Sequence, residues 1–118
     1  MVVYNPLQTM IVTSRAKGFD NATTLSWHTP LSVKPFLYAI ALRESRKIYE
    51  MIMESKVFCV NFLSKDMENW AMFCGTKSGH KIDKFKEAAI PKEECAKIDS
   101  PRIKGCPAYL ECRLVNTF

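Results

Sequence analysis

Residues 18–32 read Gly-Phe-Asp-Asn-Ala-Thr-Thr-Leu-Ser-Trp-His-Thr-Pro-Leu-Ser, which is a turn followed by a strand rich in small polar side chains. Such hydroxyl and amide groups can hydrogen-bond a planar ligand with many heteroatoms, and Trp27 can stack or pack beside it. The alternative is a polar strand at the edge of a sheet. The small polar side chains of the stretch are those of Asn21, Thr23, Thr24, Ser26, Thr29 and Ser32.

The rest of the chain is dominated by short β-type segments. Residues 15–20 predict a hairpin turn, because Gly18 and Asp20 lie between two strand-like runs. We expect an irregular connection between the prolines at 30 and 35, and no regular structure in residues 91–105. Residues 36–42 are nearly all apolar, which predicts a strand buried on both faces. The predicted strands are residues 9–14, 21–27, 36–42, 56–62 and 106–115.

The hydrophobic period changes to that of a helix in two places. Residues 43–55 place Ile48, Met51 and Ile52 on one face, with Ser45 as the predicted N-cap. A second helix follows Ser64 and is predicted to end at Gly75; its apolar stripe is interpreted as core packing. A short helix is expected over 83–89. Without regular βαβ alternation, five or six strands and two or three short helices predict a mainly antiparallel β-barrel.

Length and composition limit the possible classes. A chain of 118 residues with 47% hydrophobic residues predicts one globular domain, residues 1–118. No apolar run reaches the roughly 20 residues of a membrane helix, and the first residues lack a signal-peptide pattern, so we expect a cytoplasmic protein. The net charge is +5, but acidic residues interrupt the lysines of 77–104. This pattern favours a solvated mixed-charge face over nucleic-acid binding.

The five cysteines are odd in number and form no C-x-x-C pair. We therefore expect reduced thiols packed as small hydrophobic groups, with no disulfide scaffold and no metal site. The spacing leaves open whether Cys95, Cys106 and Cys112 meet in space.

Two further blocks carry chemistry. In residues 41–50 a strand ends, Arg43 follows and a helix opens near Ser45, so backbone N–H groups and cationic side chains favour an anion such as a phosphate. The alternative is a helix start with solvated basic side chains. Residues 73–85 read Phe-Cys-Gly-Thr-Lys-Ser-Gly-His-Lys-Ile-Asp-Lys-Phe, in which Gly75 and Gly79 permit a tight backbone near a ligand. We interpret His80 in this loop as a solvated side chain.

These three blocks resemble the flavin reductase-like, FMN-binding split-barrel family, and within it the flavoredoxin-type branch. The first block matches at Asn21, Ser26, Trp27 and Ser32, and the third matches the family's Phe-Cys-Gly-Thr, Ser-Gly and Asp-Lys-Phe run. The second block has Ile48 where the family carries a hydroxyl residue. Residues 106–115 resemble the family's late strand, which pairs with one more long strand. The resemblance therefore spans about the first two-thirds of a typical member.

The resemblance implies an antiparallel split β-barrel with two or three short helices, apparently lacking the last family strand, that binds FMN. It implies that Lys84 lies near the electron-rich edge of the flavin, and that no side chain acts as nucleophile or general acid. The residues it implies for FMN binding are Asn21, Thr23, Thr24, Leu25, Ser26, Trp27, Ser32, Arg43, Ser45, Lys47 and Lys84.

The implied activity is electron transfer through bound FMN, from a reduced nicotinamide, NAD(P)H, that binds transiently or from a redox protein. The resemblance implies a homodimer. We expect a homodimer or higher assembly to cover the strand edge at residues 110–115; the alternative is that the chain is the ordered remnant of a longer protein. The alternative is a non-catalytic or degenerate split-barrel protein without stable flavin. A basic nucleic-acid-binding barrel ranks last, because the chain lacks clustered aromatic residues on a basic strand face.

Overall fold

The computed structural model describes residues 8–118; the signal-peptide expectation concerns the first residues and lies largely outside this range. The elements are β1 (Met10–Ala16), β2 (Phe19–Leu25), β3 (His28–Val33), β4 (Phe36–Ile40), α1 (Lys47–Ser55), β5 (Val57–Phe62), a 3-10 turn (Lys65–Met67), α2 (Glu68–Thr76), α3 (Lys84–Glu87), β6 (Lys92–Glu94), β7 (Pro101–Ile103) and β8 (Ala108–Arg113). No helix in this range is long and apolar enough to cross a membrane.

The largest sheet is antiparallel, with the strand order β2-β1-β5-β8. Its first two strands form the predicted hairpin, with Met10 opposite Leu25. Lys17 and Gly18 close this hairpin with φ angles of 52° and 73°. Positive φ at both central positions gives a turn whose twist matches that of the flanking strands, which is why glycine suits the second position.

Two small two-stranded sheets include segments where the sequence predicted irregular structure. Within residues 8–118, β3 pairs with β4 alone, so the expected irregular connection between the two prolines is wrong, and so is the expected burial of residues 36–42 on both faces. Pro30 is tolerated in β3 because an edge strand leaves one row of backbone groups unpaired. β6 and β7 form a hairpin within residues 91–105, where strands of three residues are too short to show a period.

The helices follow the predicted apolar faces but differ at their ends. Ile48, Met51 and Ile52 of α1 are buried as expected, yet the N-cap is Arg46 instead of Ser45, and it makes no side-chain capping bond. α2 continues through Gly75 to Thr76, so the prediction that Gly75 ends the helix is wrong. The close approach of Gly75 to Thr24 explains this glycine better than helix capping does.

Alternation along β1 divides the core between the two faces of the main sheet. Met10 and Val12 pack with Ile48 of α1 on one face, where Leu110, Cys112 and Leu114 also lie, as the alternation of β8 predicts. Ile11 faces the other way and packs with Cys74 of α2, Phe85 of α3 and Ile103 of β7. The mainly antiparallel architecture with three short α-helices confirms the predicted fold class.

Candidate functional site

Two adjoining cavities open beside β2, next to the start of α1 and the end of α2. Their volumes are about 310 and 420 Å³, and they share Thr23, Arg43, Arg46 and Gly75 in their walls. Volumes of this order suit a small-molecule ligand. The smaller, called the basic cavity, is lined by Asn21, Thr23, Arg43, Ser45, Arg46, Lys47, Ile48, Gly75, Thr76, Lys77, Ser78, Gly79 and Lys84. The larger, called the Trp27 cavity, is lined by Thr23, Thr24, Leu25, Ser26, Trp27, Ala41, Leu42, Arg43, Arg46 and Gly75.

Two polar side chains of β2 form part of the wall of the basic cavity. Asn21 and Thr23 point to the same face because side chains two residues apart in a strand do so. They are only 1% and 2% exposed, and neither Oδ1 of Asn21 nor Oγ1 of Thr23 has a hydrogen-bond partner within residues 8–118. An unsatisfied buried polar atom costs roughly 1–3 kcal/mol. A polar ligand that hydrogen-bonds to these two atoms would remove this cost.

Lys84 brings a buried cation to the same cavity. It is the first residue of α3, which Asp83 caps by accepting a hydrogen bond from the Lys86 N–H at 3.2 Å. The Lys84 side chain is 1% exposed, and its Nζ donates to the Cys74 carbonyl oxygen at 2.8 Å, its one hydrogen-bond partner in the described range. Burial lowers the pKa of Lys84 to about 8. Because an ammonium has three donors, this lysine retains hydrogen-bonding capacity for an anion or a carbonyl group.

The rest of the basic cavity carries further positive charge and no carboxylate. Arg43, Arg46 and Lys47 come from the segment that leads into α1, and Lys77 follows α2. Arg46 also donates to the Gly75 carbonyl oxygen at 3.4 Å, which links the start of α1 to the end of α2. Free N–H groups at a helix start and guanidinium groups both favour a phosphate.

Two glycines let the end of α2 and the loop after it approach β2 closely. A Cβ at Gly79 would lie 2.4 Å from Nδ2 of Asn21, a distance that real side chains do not tolerate. At Gly75 a Cβ would lie 3.2 Å from the Cβ of Thr24. Any larger side chain at Gly79 would therefore displace Asn21 from its position in the cavity wall.

His80 holds this loop against α1. Its Nε2 lies 3.3 Å from the Ser45 carbonyl oxygen and 3.5 Å from Oε2 of Glu50. The side chain is exposed, as its interpretation as a solvated histidine requires, but it also joins the two segments that wall the basic cavity.

The Trp27 cavity is less polar. Leu25, Trp27, Ala41 and Leu42 contribute apolar surface, and the Ala41 N–H donates to the Trp27 carbonyl oxygen at 2.9 Å. Trp27 itself is 73% exposed, so its ring is available to a ligand or to another molecule. The Thr24 hydroxyl donates to the Ala71 carbonyl oxygen of α2 and thereby fixes β2 against that helix.

The structure brings ten of the eleven sequence-predicted binding residues to these cavities. The exception is Ser32, which lies on β3 opposite Leu37 and lines neither cavity. The cavity residues outside the eleven include Arg46, Thr76, Lys77 and Ser78. The sequence did point to them, because they lie inside residues 41–50 and 73–85, the two blocks identified above as candidates for ligand binding.

Comparison with known proteins identifies the class. The flavin reductase like domain family matches residues 4–118, so the chain belongs to that family. A relative from Archaeoglobus fulgidus, described as an uncharacterized protein, is 34% identical over 111 residues, which cover 94% of this chain and 62% of the relative.

Solved structures agree with this assignment. Flavoredoxin of Desulfovibrio vulgaris superposes with a TM-score of 0.93 at 21% identity, covering 100% of this chain and 65% of that one. The FMN-binding domain of a flavin reductases-like enzyme from Shewanella baltica gives a TM-score of 0.88 at 25% identity, covering 93% and 58%. The fold is thus that of the flavin reductase-like split barrels. The chain spans less than two thirds of the length of each of these three relatives.

Proposed function

We propose that this protein binds FMN in the two cavities and passes electrons through it, as a flavin reductase or a flavoredoxin-type carrier. The observation that carries the proposal is a set of buried polar groups in the basic cavity whose hydrogen-bonding capacity is not filled by residues 8–118. Asn21 offers a free acceptor, Thr23 a free hydroxyl and Lys84 free donors. They lie beside cations suited to a phosphate and beside a cavity with apolar walls.

The chemistry of these groups fits FMN. The pyrimidine part of a flavin carries carbonyl oxygens and an N–H, which match a donor such as Lys84 and an acceptor such as Asn21. Arg43, Ser45 and Lys47 would bind the phosphate through charge-assisted hydrogen bonds. When bound, FMN would supply the redox chemistry by accepting a hydride or electrons and passing them on.

The side chains of this protein would hold and tune the cofactor. Lys84 would place positive charge beside the ring, where it favours the more negative reduced form. Leu25 and Trp27 would contribute apolar and aromatic surface for the ring. No nucleophile or general acid is required. The electron donor would be NAD(P)H, bound transiently because the sequence has no Gly-rich dinucleotide fingerprint, or a redox protein.

The proposal extends to the assembly and location of the protein. Residues 1–118 would act as one domain in the cytoplasm, a reducing compartment that suits the five free cysteines. A homodimer would cover the edge of β8 at residues 110–115 and the apolar side chains that project from the β3–β4 hairpin and its flank. These strongly exposed apolar side chains are those of Trp27, Leu31, Val33 and Phe36.

The direct test is a flavin titration. Apoprotein should quench FMN fluorescence with saturation and bind riboflavin at least ~10-fold more weakly, because riboflavin lacks the phosphate. The flavin absorbance of the complex should then bleach on anaerobic addition of NADH, NADPH or a reduced redox protein. Failure to bind either flavin would favour the alternative, a split-barrel binding protein without stable flavin. Equal affinity for FMN and riboflavin would show that the protein does not bind the phosphate.

A further inference from the structure

Lys84 is a buried cation whose charge no carboxylate balances within residues 8–118. Its side chain is 1% exposed, and its Nζ donates to a neutral acceptor, the Cys74 carbonyl oxygen, at 2.8 Å. None of the ion pairs in that range includes Lys84. Because burial removes water from an ammonium, it favours the neutral amine unless an anion lies close by.

The groups that share the basic cavity with Lys84 do not supply that anion. Burial raises the pKa of the Cys74 thiol to about 11, so this neighbour is neutral near pH 8. No Asp or Glu of the described range lines the cavity. Its other cationic side chains are those of Arg43, Arg46, Lys47 and Lys77.

The carboxylates on the neighbouring elements have other partners or lie outside the cavity. Asp20 of β2 is paired with Arg15 and Lys92, each at 2.7 Å. Asp83 accepts a hydrogen bond from the Lys86 N–H and thereby caps α3. The other titratable groups on α1, α2, α3 and the loop after α2 do not line the basic cavity; they are Tyr49, Glu50, Glu54, Glu68, His80, Lys81, Lys86 and Glu87.

Lys84 consequently loses its proton at a lower pH than an ordinary lysine does. Burial lowers its pKa to about 8, and the charge of Arg46 acts in the same direction. In the protein without ligand, about one molecule in ten therefore carries the neutral amine at pH 7, and about nine in ten carry it at pH 9.

An anionic ligand in the cavity would reverse this preference. By the function proposed above, FMN brings a phosphate to the cations of the cavity and ring carbonyl oxygens to Lys84. Negative charge nearby favours the ammonium, and a ligand that excludes water strengthens the attraction. The filled cavity would thus hold Lys84 as an ammonium throughout the range from pH 7 to pH 9.

We propose that Lys84 makes ligand binding proton-coupled: the empty basic cavity loses a proton from Lys84 as the pH rises, and the anionic flavin enters together with one proton from solvent. This inference rests on the proposed function, because FMN is the ligand. The proton adds to the lone pair of Nζ, so the amine becomes an ammonium and no other bond forms or breaks. Alkaline pH therefore releases the flavin.

Titration of the native chain with FMN measures the coupling. Between pH 7 and pH 9 the phosphate of FMN stays a dianion, so its own protons contribute little. The dissociation constant from fluorescence quenching should rise about tenfold from pH 7 to pH 9. Calorimetric titrations in two buffers of different ionisation enthalpy should give an uptake below ~0.2 proton per FMN near pH 7 and of about 0.9 near pH 9.

Two substitutions of Lys84 and one control assign the proton. Lys84→Arg carries a permanent charge, so its affinity for FMN should be equal near pH 7 and pH 9, with no proton uptake. Lys84→Met should take up no proton either. Lys86→Met, on the exposed side of α3, should keep the pH dependence and the proton uptake of the wild type.

The outcomes separate this inference from the proposed function. Binding of FMN with equal affinity near pH 7 and pH 9, without proton uptake, would overturn the inference and leave the proposed function standing. An uptake already complete near pH 7 would overturn it too, because a histidine would then supply the site of protonation. So would full uptake by Lys84→Met. A chain that binds FMN at neither pH would overturn both proposals. The wild-type titration decides the matter even if the Lys84 variants do not fold.

Discussion

Replacing Lys84 by methionine should stabilise the apoprotein at neutral pH. The pKa of Lys84 is about 8 in the folded chain, against an ordinary value of 10.5, because burial disfavours the ammonium. At roughly 1.4 kcal/mol per pH unit, holding this charge in the fold costs about 3 kcal/mol at neutral pH. The variant also leaves the Cys74 carbonyl oxygen without its donor, a loss of about 1–2 kcal/mol. The net expectation is a gain of about 1–2 kcal/mol.

The stabilisation by Lys84→Met should depend on pH. A lysine whose pKa is lowered on folding destabilises the fold fully below its folded pKa, near 8, and no longer does so above its unfolded pKa, near 10.5. The cost falls below about 1 kcal/mol at pH 10. The gain from Lys84→Met should therefore be present near pH 7 and absent or reversed near pH 10.

Urea unfolding of the apoprotein at these two pH values measures the effect. Lys86→Met is the matched control, because Lys86 lies on the same short helix with an exposed side chain, and its stability should change by less than about 0.5 kcal/mol. The same Lys84 variant should bind FMN at least ~10-fold more weakly, since it removes a charge-assisted donor. A Lys84→Met variant that is less stable than wild type at pH 7, or equally stabilised at both pH values, would refute the reasoning.

Three further substitutions test the cavity walls. Trp27→Ala should weaken FMN binding by roughly 1–2 kcal/mol, measured by fluorescence quenching, because it removes an aromatic contact; equal dissociation constants would exclude Trp27 from the site. Arg43→Ala should reduce the preference for FMN over riboflavin by about tenfold, and an unchanged preference would assign the phosphate to other residues. Gly79→Ala should weaken both flavins alike, because its Cβ would lie 2.4 Å from Nδ2 of Asn21 and push that side chain away; full affinity for both would show that Asn21 makes no contact with the ligand.

Local pattern was sufficient for the elements whose periodicity is long enough to read. The β1–β2 hairpin, β5, β8 and the apolar face of α1 were predicted with small errors at their ends. These features depend on side chains two, three or four positions apart, and such spacing is visible in one dimension. The strands β6 and β7 were missed because three residues are too few to show a period, and β3 was missed because it contains proline. All three are stabilised by pairing with partners that local sequence does not reveal.

The candidate site, like the fold, could be predicted from the sequence only in part. The sequence marked the three blocks that line the cavities, through their small polar, basic and glycine residues and through their family resemblance. It did not show that Ser32 lies outside the two cavities, because Ser32 belongs to a different strand, β3, which pairs with β4 and not with β2. It also did not show that Arg46 joins α1 to Gly75, because that bond connects segments 29 positions apart.

The sequence by itself determined the family, the strand-rich class and the residue types available to a ligand. Only the tertiary structure decided that Asn21, Thr23 and Lys84 are buried in one cavity, with hydrogen-bonding groups that residues 8–118 leave unfilled. The physical reason is that burial and a lowered lysine pKa depend on which segments pack together, and packing is a property of the whole chain.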